Sequence, residues 1–166
     1  MSEKTIGSGS LKELEAEAAA SRKCLERIPE SLFDWKPHEK SMTFGYLALL
    51  VAEIPKWIKA MIEDSEIDLA TFEHFSPKNT AELVKYFDDN LDGAKNALQN
   101  ASNEALSESF HLKNQGEVVF STPKADYIGP TINHLVHHRG QLTIYMRLND
   151  IAVPSIYGPS ADEPGF

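Results

Sequence analysis

The sequence is poor in three things that would each have pointed to a class of function. It has a single cysteine, Cys24, so an intramolecular disulfide and a multi-cysteine zinc site are both excluded. Its longest apolar run, Tyr46 to Ala52, is far short of a membrane span. It also lacks basic runs: 16 Lys and Arg stand against 25 Asp and Glu, a formal net charge of −9. Residues 1–76 hold 9 basic and 14 acidic groups and residues 77–166 hold 7 and 11, so the acidity is spread along the chain. Such a surface repels phosphate backbones and anionic lipid, which argues against nucleic acid and membrane as partners. No apolar stretch follows Met1-Ser2-Glu3-Lys4, so nothing marks a signal peptide, and a cytoplasmic location is expected.

What is present fits one globular domain. The 166 residues are 42% hydrophobic and 25% charged, enough to build a core without staples. The first nine residues are polar and glycine-rich and read as a flexible tail, followed by a domain over 10–160 and a short tail over 161–166. Ser10-Leu11-Lys12-Glu13 has the pattern of a capping box. Leu11, Leu14, Ala18, Ser21, Leu25 and Ile28 then recur at spacings of three and four, a helical seam that Pro29 ends. A second helix is predicted over about 43–64, apolar on most sides, with a kink at Pro55. After a loop over about 65–78, Asn79-Thr80-Ala81-Glu82 caps a third helix carrying Leu83, Phe87, Leu91, Ala94 and Leu98 on one stripe. Beyond its first turn, 102–121 loses helical periodicity. Ser109-Phe110-His111-Leu112 and Glu117-Val118-Val119-Phe120 flank Asn114-Gln115-Gly116 as a small hairpin or an extended crossover. Thr122-Pro123 opens a last long helix that carries Gly129-Pro130 and runs to about 149. The fold class expected is therefore all-α, a four-helix bundle with a short extended or hairpin insert before the last helix.

Three of the six histidines fall within His134-Leu135-Val136-His137-His138. His134 and His138 are four apart, so both rings lie on one helical face and can share a metal ion, with Gln141 and Tyr145 continuing that face. His134 and His137 form a second possible pair about a quarter-turn away. The zinc-protease pattern requires Glu after the first histidine and this chain has Leu135, which removes that chemistry. Packing between helices is the competing explanation for such a pair. Cys24 reads as a small buried hydrophobe, and Trp35, Trp57 and Phe33 as core or interface aromatics. Arg139 reads as structural, reaching toward Tyr157 or the acidic tail.

The segment His134-Leu135-Val136-His137-His138-Arg139-Gly140-Gln141-Leu142, with Tyr145-Met146-Arg147-Leu148 and Pro154-Ser155-Ile156-Tyr157-Gly158-Pro159, resembles the C-terminal signature of the DinB-like family. Leu25-Glu26-Arg27-Ile28-Pro29, Trp35-Lys36-Pro37-His38-Glu39-Lys40-Ser41-Met42 and Ile54-Pro55-Lys56-Trp57 resemble its first-helix end, connector and second helix. The resemblance implies an up-down-down-up bundle, often a homodimer, and apolar positions on the first two helices suit such association. It also implies a nickel or zinc site of three histidines, two of them matching His134 and His138. The third position falls on Leu50, which cannot coordinate. Glu53 one turn later is a possible substitute, and Tyr46 one turn earlier can face the same space. The expectation is a degenerate site without a tightly bound metal, weakly held Ni2+ or Zn2+ being the alternative. A pocket formed by Tyr46, Leu50, Glu53 and Gln141 beside the histidines can take a small-molecule ligand. Three functions follow: a DinB-like protein whose metal site is degenerate, a metal-dependent thiol S-transferase or thiol-dependent isomerase, or a small-molecule binding module.

Overall fold

The computed structural model describes residues 6–165. Four long helices form its body: α1 (Ile6–Leu25), α2 (Phe44–Glu63), α3 (Thr80–Asn100) and α5 (Lys124–Leu148). A 3-10 turn at Glu30–Leu32 and a five-residue helix α4 (Asn103–Ser107) lie in the connections. Three short strands, β1 (Glu66–Asp68), β2 (Ser109–Asn114) and β3 (Glu117–Pro123), form a sheet in the order β1-β2-β3. The all-α expectation is therefore corrected to a mainly helical fold with a small mixed sheet. Only the β2–β3 hairpin has a periodic signal in the sequence. β1 is three residues long and pairs in parallel with β2, Ile67 beside Leu112, from within a stretch that reads as loop.

Helix ends follow local chemistry. Thr43 caps α2 by accepting from the Tyr46 N–H, and the Asn79 side chain accepts from the Glu82 N–H at 2.9 Å to start α3. The capping-box reading of Ser10 is corrected: α1 begins four residues earlier, where the Ile6 N–H donates to Asn103 Oδ1 at 3.1 Å. Residues 6–9 thus belong to a helix, while 1–5 of the expected tail, like Phe166, lie outside the described residues. Gly7 permits this early start, because a Cβ there would stand 2.5 Å from the Leu98 carbonyl oxygen. Both proline-bearing helices run through their prolines as single elements. Beside Pro55, Asn90 Nδ2 donates to the Ala52 carbonyl at 3.0 Å.

The helices bury two apolar clusters. One joins Leu25, Ile28, Phe44, Leu47, Val51, Leu135 and Leu142, where Trp35, Phe44 and Tyr145 meet edge to face. The other joins Leu14, Ile58, Met61, Leu98, Phe110 and Ile132 at the end nearer the sheet. Along α5, His134 falls between Ile132 of one cluster and Leu135 of the other. The sheet is closed at its tip by the two-residue turn Gln115-Gly116, both with positive φ (53° and 81°) as a type I′ hairpin requires. Asp68 holds that turn, its carboxylate accepting from the N–H groups of Gln115 and Gly116 at 3.0 and 2.7 Å.

Candidate functional site

The regular turn of α5 brings the two histidines of the pattern together. Nε2 of His134 and Nε2 of His138 lie 2.8 Å apart, and Nδ1 of His138 is 2.8 Å from Oε1 of Gln141. This geometry sets the proton arrangement of a neutral chain: His138 Nδ1–H donates to Gln141, and His134 Nε2–H donates to His138 Nε2. Burial, and then the neighbouring His138 and His137, hold the His134 pKa below the ordinary imidazole value. His137 is exposed, and its ring meets that of His138 edge to face at 5.2 Å.

The donor set can be tested against the three-histidine metal centre that the resemblance implies. Two nitrogens bound to one tetrahedral zinc at about 2.0–2.1 Å would stand roughly 3.3 Å apart, so the pair needs only a small opening. Position 50 offers nothing further, since Leu50 is an apolar side chain with only 7% exposure. Among the described residues, no three His, Cys, Asp or Glu side chains are gathered as a cation site. The residues present do not fit a three-ligand metal.

Glu53, the possible substitute, has other partners. It is fully buried on α2, where His74 Nδ1 lies 2.6 Å from its Oε2 and the Tyr86 hydroxyl donates to its Oε1 at 3.0 Å. Burial and the Glu53 carboxylate both push the Tyr86 pKa up, which keeps that hydroxyl a donor. His74 is the functional-site residue that sequence reading missed. It sits in an aperiodic connection, 21 residues from Glu53, and no spacing rule links them.

That connection crosses the face between α2 and the sheet, and several of its side chains are pinned. Phe72 meets Trp57 at 6.1 Å, the Lys56 ammonium lies 4.6 Å above the Phe72 ring, and Phe75 stacks on Tyr86 at 4.5 Å. Beneath it lies a cavity of about 380 Å3, whose lining includes Trp57, Phe72, His74, Phe110, Tyr127 and His134. It is walled by α2, α5, the sheet and the connection. The expected pocket residues Tyr46, Leu50, Glu53 and Gln141 are not in its wall. Tyr46 lines a separate, shallower groove that shares His74 with the cavity. His134 is the member of the histidine pair that lines the cavity, and its ring lies 5.6 Å from that of Trp57.

Arg139, next to the pair, is structural. Its buried guanidinium donates to the Glu17 carbonyl at 3.0 Å and the Tyr157 hydroxyl at 2.7 Å, and pairs with the Glu17 carboxylate at 2.6 Å. It fastens the C-terminal segment and α1 to α5.

Comparison with known proteins supplies the relationship. The curated protein YrdA of Bacillus subtilis (strain 168), named as uncharacterised, is 29% identical over 162 residues, covering 92% of this chain and 89% of that protein. The crystal structure of a DinB-like protein, YjoA, from Bacillus subtilis superposes with a TM-score of 0.71 at 15% identity, covering 89% of this chain and 96% of that one. A DinB-like protein from Bacillus cereus ATCC 10987 gives 0.67 at 20% identity, covering 90% and 96%. These likenesses show the fold. The sequence pattern of the DinB family itself matches residues 1–164, so the chain belongs to the DinB family.

Proposed function

We propose that this chain is a small-molecule binding member of the DinB family, with the metal site reduced to a histidine pair. The observation that carries this reading is the cavity of about 380 Å3 with a mostly apolar and aromatic wall, in which His74 and His134 are the imidazoles. Enclosed apolar space with a few polar groups is what a small ligand requires, and this volume lies within the usual range for such sites. Titration with toluene, followed by thermal unfolding, tests it. Saturable stabilisation of the parent and its loss in the cavity-filling variant Leu112→Trp are expected. No saturable effect on the parent would overturn the reading.

A second reading, a divalent-metal-dependent thiol S-transferase or thiol-dependent isomerase, is favoured by the convergence of the two Nε2 atoms. Thiol loss in the presence of generic electrophiles, with and without added nickel or zinc, separates the two. The expected rate is that of buffer, and a metal-requiring rate would favour the enzyme.

The four long helices are taken as the up-down-down-up bundle of the family, and the protein as a cytoplasmic homodimer. Among the described residues, Ile6 and Tyr46 are the only strongly exposed large apolar side chains on the first two helices, so those helices offer little surface for pairing. Ile144 and Leu148, one turn apart on α5 and 60% and 59% exposed, are the better pairing surface. Sedimentation of the parent and of Ile144→Glu tests this, with a dimer expected for the first and a monomer for the second.

A further inference from the structure

The floor and the outer wall of the cavity are held in different ways. Met61 on α2 and Phe110 on β2 are each 1% exposed, and regular helix and strand hydrogen bonds fix them in the apolar cluster nearer the sheet. Leu69, Phe72 and His74 supply the outer wall from the connection between β1 and α3. The near end of that connection is fastened through its backbone, since the N–H groups of Thr71 and Phe72 donate to the Asp68 carbonyl at 3.2 and 2.9 Å. At the far end the Lys78 N–H donates to Glu82 Oε2 at 2.8 Å. Between these ends no N–H group of 73–76 makes a backbone hydrogen bond among the described residues, and Pro77 has none to offer. Side chains hold this stretch instead. His74 Nδ1 lies 2.6 Å from Glu53, Phe75 stacks on Tyr86, and the Lys56 ammonium donates to the Glu73 carbonyl at 3.3 Å. His74 also lines the outer groove beside Tyr46 and Phe75, so the cavity and the groove share its ring as a wall.

We propose that 72–77 is a strap that lifts as a unit to admit a ligand to the cavity, with the Glu53–His74 contact as its latch. The motion takes its purpose from the binding reading above. A segment without a backbone ladder can open and return while the regular elements stay intact, so it opens far more often than the whole chain unfolds. The keeper of the latch stays behind when the strap moves: Glu53 is fully buried on α2, and the Tyr86 hydroxyl holds its other oxygen. Tyr86 serves the strap twice, because its ring also carries Phe75. Opening leaves the buried carboxylate with one donor in place of two, and that cost returns the strap to its place. Glu53 and His74 are therefore positioning residues for the wall.

The test needs no ligand. Met61→Cys puts a thiol on the cavity floor, and Ile67→Cys, at another buried lining position, serves if that variant does not fold. Cys24, fully buried in the other apolar cluster, remains as an internal reference that reacts only through global unfolding. Alkylation by iodoacetamide without denaturant is followed at both sites by peptide mass. The introduced thiol is expected to react faster than Cys24. Adding His74→Phe, which keeps a ring in place, should speed the introduced thiol about tenfold and leave the Cys24 rate unchanged. His74→Gln takes its place if His74→Phe does not fold. Phe75→Ala, at an exposed position, should speed the introduced thiol about threefold. An introduced thiol whose rate ignores both positions would overturn the strap, and so would one that accelerates only in step with Cys24. Acceleration by Phe75→Ala alone would overturn the latch and keep the strap. Failure of toluene to bind would remove the ligand reading and leave these rates as they are.

Discussion

Nε2 of His138 lies 2.8 Å from Nε2 of His134, so these two nitrogens share one proton in the neutral chain. A second proton at this contact would set two N–H donors against each other and leave one ring charged. Burial and the neighbouring imidazoles hold the His134 pKa below its ordinary value of about 6.5. Above that pH, His134 is neutral in both folded and unfolded chains, and the stability of the neutral pair is fully present. As pH falls, the unfolded chain takes up the proton first, and that stability is lost down through the lower folded value. The stability difference between the parent and His134→Gln should therefore narrow or reverse between pH 7.5 and 5, as read by urea unfolding. A difference independent of pH would contradict this.

Position 50, where the family resemblance implies a third histidine, gives a test of the metal chemistry. With Leu50, nickel and zinc should bind weakly, since two imidazoles leave most of the coordination shell to water. Leu50→His should strengthen binding at least tenfold by calorimetry, and adding His138→Ala should remove the gain. A folded Leu50→His variant that still ignores both metals would show that position 50 does not face the pair.

Arg139 should be among the most costly residues to remove. Its guanidinium has 2% side-chain exposure and pairs with Glu17, so Arg139→Met takes the cation from a carboxylate that keeps only the Tyr157 hydroxyl. A loss of about 3 kcal/mol is expected from chemical denaturation, the range for one partner of a buried pair. Tyr157→Phe removes a hydroxyl that accepts from that guanidinium and donates to the Glu17 carboxylate, and should cost about 1 kcal/mol.

Burial raises the Cys24 thiol to about 11, against small opposing effects from Arg139 and Arg27. It should therefore resist alkylating and disulfide reagents at neutral pH while the chain is folded, and react fully once urea unfolds it. Rapid modification of the native protein would place this thiol in reach of solvent. It would also reopen a role for Cys24 in thiol chemistry.

The histidine pair was legible in the sequence because its spacing is local: four residues on a helix bring two rings together whatever the rest of the chain does. The ends of α2 and α3 were legible for the same reason, through Thr43 and Asn79. The leucine at position 50 came from resemblance and not from periodicity. The Glu53–His74 contact had no such signal, because it joins a helix to an irregular connection whose path is fixed by Phe72 on Trp57 and Phe75 on Tyr86. The early start of α1 was hidden because Gly7, Gly9 and two serines have weak helix propensity, and the turn is held by a distant asparagine. β1 was missed because three residues carry too little pattern to distinguish a strand from a loop.

The parallel pairing of β1 with β2 has a consequence for when the cavity exists. The two strands lie on opposite sides of the whole of α3 in the chain, and no short turn can join a parallel pair. The pairing must wait for long-range closure, so the cavity forms only once the chain from α2 through α5 has come together. A molecule held there has little to grip in the unfolded state. A ligand there would add its binding energy almost entirely to global stability, so the unfolding free energy would rise with ligand concentration.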